Sequence, residues 1–221
     1  MTIVKICGIT TITAGLAAID AGADYLGFVF YPPSHRHLDV EVAMRLVDGL
    51  RNARPDGWRA VGVFVDEPLA VVEHATRACG LDVVQLQGHE DSTYVRAVPA
   101  PVFKAARFQP GDLLPTAADF GALRILVDAN VPGMAGGTGV AYDWRLVRAA
   151  VADGILAGGL APTNIVEALT AAQPWGVDVS SGVEVDRHKR PELIIAFVEA
   201  VRTFDAQELF HAAESQESVT T

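Results

Sequence analysis

Cysteine is scarce in this chain: its 221 residues include only Cys7 and Cys79. Two thiols are too few for a disulfide scaffold, so each is judged singly. Basic side chains are also in deficit, with 17 Lys and Arg against 27 Asp and Glu and a formal net charge of −10. That sign argues against a surface built to attract nucleic acid or an anionic membrane, and any anionic ligand has to be held locally. No apolar run approaches the roughly 18 residues of a membrane span, and no early stretch has the make-up of a signal peptide. A cytoplasmic location is expected. Also missing is a G-x-G-x-x-G turn after the first apolar run, the usual phosphate turn of a dinucleotide-binding sheet.

What is present is a repeated alternation. Runs rich in Val, Ile and Phe recur as IVKIC (3–7), YLGFVF (25–30), AVGVFV (60–65), DVVQLQ (82–87), VFKAAR (102–107), RILVDA (124–129), ILAGGL (155–160) and VDVSSG (177–182). Between most of them lie Ala-rich stretches with helical spacing, at 13–23, 40–50, 69–80, 142–151 and 163–172. Gly22 and Gly80 stand where helices should stop, and Pro162 fits a first turn. The stretch from Gln109 to Phe120, with Pro110, Gly111 and Pro115, is the weakest helix. Eight strands alternating with helices predict parallel pairing through right-handed crossovers, and closure into a single (β/α)8 barrel over residues 1–205. A last helix is expected from Pro191 to Phe204, followed by a frayed polar extension over 206–221.

In such a barrel the site lies at the C-terminal strand ends. Those ends are polar: Cys7 closes the first strand, Gln85 and Gln87 the fourth, Arg107 the fifth, Asp128 the sixth, and Asp178, Ser180 and Ser181 the eighth. Burying such groups costs several kcal/mol unless they are paired, so the collection needs a reason. Three glycine-bearing segments, GGTG (136–139), AGGL (157–160) and SSG (180–182), follow strands six to eight, where barrels often hold phosphate on backbone N–H groups. Gly137, Thr138, Gly139, Gly158, Gly159, Ser180, Ser181 and Gly182 are therefore the predicted phosphate-binding residues.

In order along residues 3–200, KICG (5–8), GFVF with the following S-x-R (27–36), GVFVD (62–66), VQLQG (84–88), LVDA (126–129), GGTG, LAGGLAPTN (156–164) and GVDVSSGVE (176–184) strongly resemble the phosphoribosylanthranilate isomerases of tryptophan biosynthesis. The resemblance implies an Amadori rearrangement of a phosphoribosyl amine. Asp128 matches the acid that opens the sugar ring, and Cys7 matches the base that removes the C2 proton. Arg36 matches the arginine that meets the anthranilate carboxylate; Gln85 and Asp178 match positions facing the sugar. A small phosphosugar is the implied partner, with no metal or other cofactor, and the chain is expected to act as a monomer or homodimer. Alternatives are an isomerase of another phosphoribosylated amine and a catalytically silent phosphosugar-binding barrel. Cys7 argues against the former, and joint retention of Cys7 and Asp128 against the latter.

This chemistry asks for two perturbed groups. Asp128 should have its pKa raised to act as an acid, and Cys7 should have its own lowered by a nearby cation. Side chains alternate along a strand, so Lys5 and Cys7 share the inward face while Val4 and Ile6 face the helices. Lys5 is equally a candidate tuner of Cys7 and a candidate partner for Asp178. Cys79, late in a helical pattern, reads as a core residue, and His74 and His89 as surface ones. Departures from the family pattern are Gln87 where it usually has His, His35 where it has Pro, and His188-Lys189-Arg190-Pro191 in place of G-x-K-D.

Overall fold

The computed structural model describes residues 1–108, 113–128 and 143–217. Eight strands, β1 (Ile3–Cys7), β2 (Tyr25–Val29), β3 (Arg59–Phe64), β4 (Val83–Leu86), β5 (Val102–Arg107), β6 (Arg124–Asp128), β7 (Ile155–Ala157) and β8 (Gly176–Val179), close into one barrel in sequence order. Every neighbouring pair is parallel, including β1 with β8, where Lys5 lies opposite Asp178. β1 and β5 end where the apolar runs predict, and the other six strands stop short of them at their C-terminal ends. Gln87, Ser180 and Ser181 thus stand just past the sheet, on the loops that frame the mouth.

The helices α1 (Ile12–Ala21), α2 (Val40–Ala53), α3 (Leu69–Cys79), α4 (Ser92–Ala97), α5 (Ala117–Phe120), α6 (Arg148–Val151), α7 (Ile165–Ala172) and α8 (Pro191–Glu217) cover the outside. Gly22 and Gly80 end α1 and α3 in the left-handed region, as the sequence predicts. Pro162 stands in the turn that leads into α7, closed by Asn164 N and Ile165 N both donating to Ala161 O at 3.1 Å. Asn164, the residue just before α7, turns its side chain back into the loop, its Oδ1 accepting from Ala161 N at 2.8 Å and its Nδ2 donating to Gly159 O at 2.9 Å, which ties the glycine turn after β7 to the helix start. Among the described residues of the weak unit α5 alone is helical; residues 109–112 lie outside that set. Beyond Phe204 the last helix does not end; α8 continues to Glu217, because DAQELFHAAESQE contains neither Gly nor Pro and consists mostly of good helix formers.

Two apolar layers follow from strand alternation. Val4 and Ile6 belong to the large layer between sheet and helices, where the Phe30 and Phe64 rings stack at 4.9 Å. Tyr25, Val61, Val83, Phe103, Leu126 and Ile155 fill the barrel interior, with Tyr25 set edge-on to Phe103 at 5.4 Å. Above this plug sit Cys7, Val29 and Val63, against which Tyr31 packs. The interior is therefore closed below and open above, and polar groups at the strand ends border a pocket with an apolar floor.

Candidate active site

Lys5 is buried in the barrel wall, and its Nζ donates to Asp178 Oδ1 at 2.8 Å. Cys7, one inward position further along β1, lies next to that ammonium. Gly27 on β2, opposite Cys7, makes room for both: a Cβ there would stand 2.8 Å from Cys7 Sγ and 3.2 Å from Lys5 Nζ. Lys5 is thus paired with Asp178 and at the same time set beside Cys7. The expected lowering of the thiol does not follow. Burial pushes the Cys7 pKa up, and the opposing pull of Lys5 is too weak to reverse it, so the thiol is a weaker acid than an ordinary cysteine. Burial also works against the Lys5 ammonium, but Asp178 and Cys7 outweigh it and its pKa is raised.

Cys7 and Asp128 line one cleft of about 260 Å³ together with Arg36, Gln85, Gln87 and Asp178. Gly158, Gly159, Ser180 and Ser181 border the same space. Gln85 donates from Nε2 to Gln87 Oε1 at 2.7 Å, while its own Oε1 is buried without a partner, an acceptor left for something that enters. The loop carrying Gln87 is anchored from behind. Glu90 accepts from Asp66 N at 2.9 Å and Gly88 N at 3.3 Å, and pairs with buried Lys104 at 3.1 Å.

The glycine turns divide by role. Gly158 and Gly159 have φ of 93° and 66°, a left-handed stretch that favours glycine, and among the described residues a Cβ on Gly159 would meet no atom within 4 Å. Gly182 is needed for packing, because a Cβ there would run into Leu160 O and fix the β7 loop away from the β8 loop. Ser180 departs from its predicted role: its hydroxyl donates to Cys7 O at 3.0 Å, so that proton is already spent joining the ends of β1 and β8. Gly137, Thr138 and Gly139 lie outside the described residues.

Arg36 reaches the cleft, but not as an unengaged guanidinium. Its Nε and Nη2 donate to the two oxygens of Glu184, both at 2.7 Å. Glu184 begins a short hairpin after β8, formed by β9 (Glu184–Val185) and β10 (His188–Lys189). Across that hairpin Lys189 donates to Glu184 Oε1 at 2.6 Å and to Ser180 O at 2.9 Å. Burial alone would raise the Glu184 pKa, yet the hydrogen bonds from Arg36 and Lys189 bring it down to about 2. For Lys189 burial prevails over Glu184, and its pKa is lowered. Sequence reasoning missed both residues; the signal available was an acid and a base facing each other across a two-residue turn, in a segment that lacks glycine at the turn itself.

Cys79 is a buried core thiol, and His74 and His89 are exposed, as expected. Among the described residues no group of three or more His, Cys, Asp or Glu side chains is arranged to hold a metal ion. No helix among them is long and apolar enough to cross a membrane.

The family model described as N-(5'phosphoribosyl)anthranilate (PRA) isomerase matches residues 4–200. An N-(5'-phosphoribosyl)anthranilate isomerase from a Geobacter species is 42% identical over 209 residues, covering 94% of this chain and 98% of the relative. Among solved structures, the phosphoribosyl anthranilate isomerase of Thermus thermophilus aligns with a TM-score of 0.77 at 35% identity, covering 91% of this chain and 99% of that one. A further isomerase of this kind, in complex with reduced 1-(o-carboxyphenylamino)-1-deoxyribulose 5-phosphate, aligns with a TM-score of 0.74 at 32% identity, covering 92% and 100%.

Proposed function

The chain belongs to the phosphoribosylanthranilate isomerase family, and from that premise we propose that it converts N-(5-phosphoribosyl)anthranilate to 1-(2-carboxyphenylamino)-1-deoxyribulose 5-phosphate in tryptophan biosynthesis. The observation that carries this reading is the convergence of Cys7 and Asp128 on one cleft, from strands β1 and β6.

Asp128 is the general acid. It protonates the furanose ring oxygen as the C1–O bond breaks, and the nitrogen lone pair moves in to leave a protonated imine at C1. Cys7, as thiolate, is the general base. It removes the C2 proton, and the electrons of that C–H bond form C1=C2 while the imine nitrogen regains its lone pair. The resulting enolamine ketonises by loss of the C2 hydroxyl proton and protonation at C1, so no atom is gained or lost overall. The raised pKa of Cys7 fits this order. Ring opening brings a positive imine next to the sulfur, and a neighbouring cation favours the thiolate. The base is strengthened at the step that needs it.

Lys5 supports the thiolate and holds Asp178, which faces the sugar with Gln85. The unpartnered Oε1 of Gln85 suits a sugar hydroxyl. Gly158, Gly159, Ser181 and Gly182, with Gly137, Thr138 and Gly139 in the loop after β6, bind the phosphate through backbone N–H groups, and no clustered basic patch is required. Arg36 meets the anthranilate carboxylate. The reaction draws on no metal or organic cofactor.

The test is turnover of freshly prepared N-(5-phosphoribosyl)anthranilate, followed by loss of its fluorescence. Wild type should turn over, while Cys7→Ser and Asp128→Asn should each lose at least about 100-fold in kcat, the lower range for removing a proton-transfer group. Inorganic phosphate should compete with substrate. An inactive wild type would reject the assignment, and full activity in either variant would remove that residue from its role.

A further inference from the structure

We infer that Glu184, backed by Lys189, is the positioning residue for Arg36, holding it in place so that only its outer edge is offered to the carboxylate of the substrate's aryl amine. This rests on the proposed isomerase activity and adds to it the part that sets the arginine in place.

A guanidinium carries five N–H donors in a planar fork. Glu184 takes two of them, one from Nε and one from Nη2, in a paired arrangement at 2.7 Å each. The opposite edge, Nη1 with the second N–H of Nη2, is still available for another planar carboxylate. Arg36 is therefore shaped to be shared between two carboxylates, one belonging to the protein and one arriving with the ligand.

The contacts around it leave little freedom for any other pose. Arg36 N donates to Ser34 Oγ at 3.1 Å, which fixes the backbone end of the loop. Gly8, at the mouth of β1 with φ of 80°, leaves the space that the Arg36 side chain crosses; a Cβ there would collide with Arg36 Cδ. Glu184 is itself immobilised, its side chain only 6% exposed and its Oε1 held at 2.6 Å by Lys189. His35 Nε2 lies 3.6 Å from Glu184 Oε2. Lys189 in turn bonds Ser180, whose hydroxyl grips the carbonyl of Cys7. The orientation of the arginine is thus referred back to the strand that carries the proposed base.

Preorganisation of this kind lowers the cost of ordering a long side chain when the ligand binds. It also predicts selectivity, since the device matters only to a substrate that has a carboxylate to offer. The experiment compares N-(5-phosphoribosyl)anthranilate with N-(5-phosphoribosyl)aniline, which has the same reacting atoms and no carboxylate. Glu184→Gln should raise KM for the anthranilate substrate about ten- to 100-fold with little change in kcat, the range expected for disturbed hydrogen bonds to a charged group. On the aniline substrate the same variant should behave like wild type. Because Glu184 acts through Arg36, the double variant Arg36→Met/Glu184→Gln should be no worse than Arg36→Met alone.

Equal losses on both substrates would mean a structural role and overturn the inference, as would an unchanged KM for the anthranilate substrate. Far-UV circular dichroism shows whether the variant is folded, and equal losses in a folded variant are what count against the positioning role. Wild type inactive on the anthranilate substrate would instead overturn the underlying assignment.

Discussion

Lys5 Nζ donates to Asp178 Oδ1 at 2.8 Å within the barrel wall, on adjacent strands in direct register. Of the two readings of Lys5, the contact shows the pairing with Asp178. The ammonium is held by one partner, yet remains close enough to Cys7 to pull on the thiol. An unpaired lysine this deep would lose its proton to burial; the carboxylate keeps it charged, and the charge is what Cys7 feels.

Removing one member of that pair leaves the other charged and buried. Lys5→Met is expected to destabilise the fold by about 3–5 kcal/mol, and adding Asp178→Asn should restore part of that. Urea midpoints of the single and double variants check this, and a single variant as stable as wild type would show the pair to be dispensable. Activity should not return with stability, because the double variant still lacks the cation beside Cys7.

Gly27 is expected to matter through the space its missing side chain leaves. A methyl group at this position would stand 2.8 Å from Cys7 Sγ and 3.2 Å from Lys5 Nζ, so both must shift. Gly27→Ala should lower kcat by about 100-fold, the scale of a 1 Å misplacement of a reacting group, while KM moves much less. Loss confined to KM would mean that Gly27 serves the ligand rather than the thiol.

Thiol alkylation reads the state of the base directly. Burial raises Cys7 above its ordinary value of 9.0 and Cys79 to about 11. At neutral pH both are therefore mostly protonated, and labelling by iodoacetamide should be slow at each and quicken steadily as pH rises. The kcat/KM profile should rise toward alkaline pH for the same reason. Lys5→Met, which removes a cation, should slow Cys7 labelling further and leave Cys79 unaffected. Mass spectrometry of the two cysteine peptides distinguishes the sites, and fast labelling of Cys7 at pH 7 would contradict the assignment.

The barrel was legible because strand alternation and helix periodicity are local signals, and both agree here over eight units. Val4, Lys5, Ile6 and Cys7 sort to opposite faces by alternation alone. What local pattern could not show is which of two opposing effects prevails. Lys5 does lie beside Cys7, yet burial outweighs it, and the depth of burial is a property of the closed barrel. The Arg36–Glu184 contact spans 148 positions and depends on a hairpin whose turn residues, Asp186 and Arg187, take φ of 51° and 63° without any glycine to advertise it. Ser180 shows the same limit. A hydroxyl beside a glycine reads as a phosphate donor until the neighbouring strand supplies a carbonyl for it.

Acid titration should expose the Glu184 cluster. The ordinary value for this carboxylate is 4.5, and in the folded protein Arg36 and Lys189 lower it to about 2. A depressed folded value means that the unfolded chain binds the proton first, so the contribution is fully present above about pH 4.5 and is lost as pH falls toward about 2. Glu184→Gln removes a group whose protonation is linked to folding, and should flatten that part of the stability–pH curve while lowering stability at neutral pH. Chemical denaturation at half-unit steps between pH 2.5 and 6 measures the difference curve between wild type and variant. A curve with no slope in that range would show that Arg36 and Lys189 do not stabilise the ionised carboxylate, and the fixed pose of Arg36 would then need another cause.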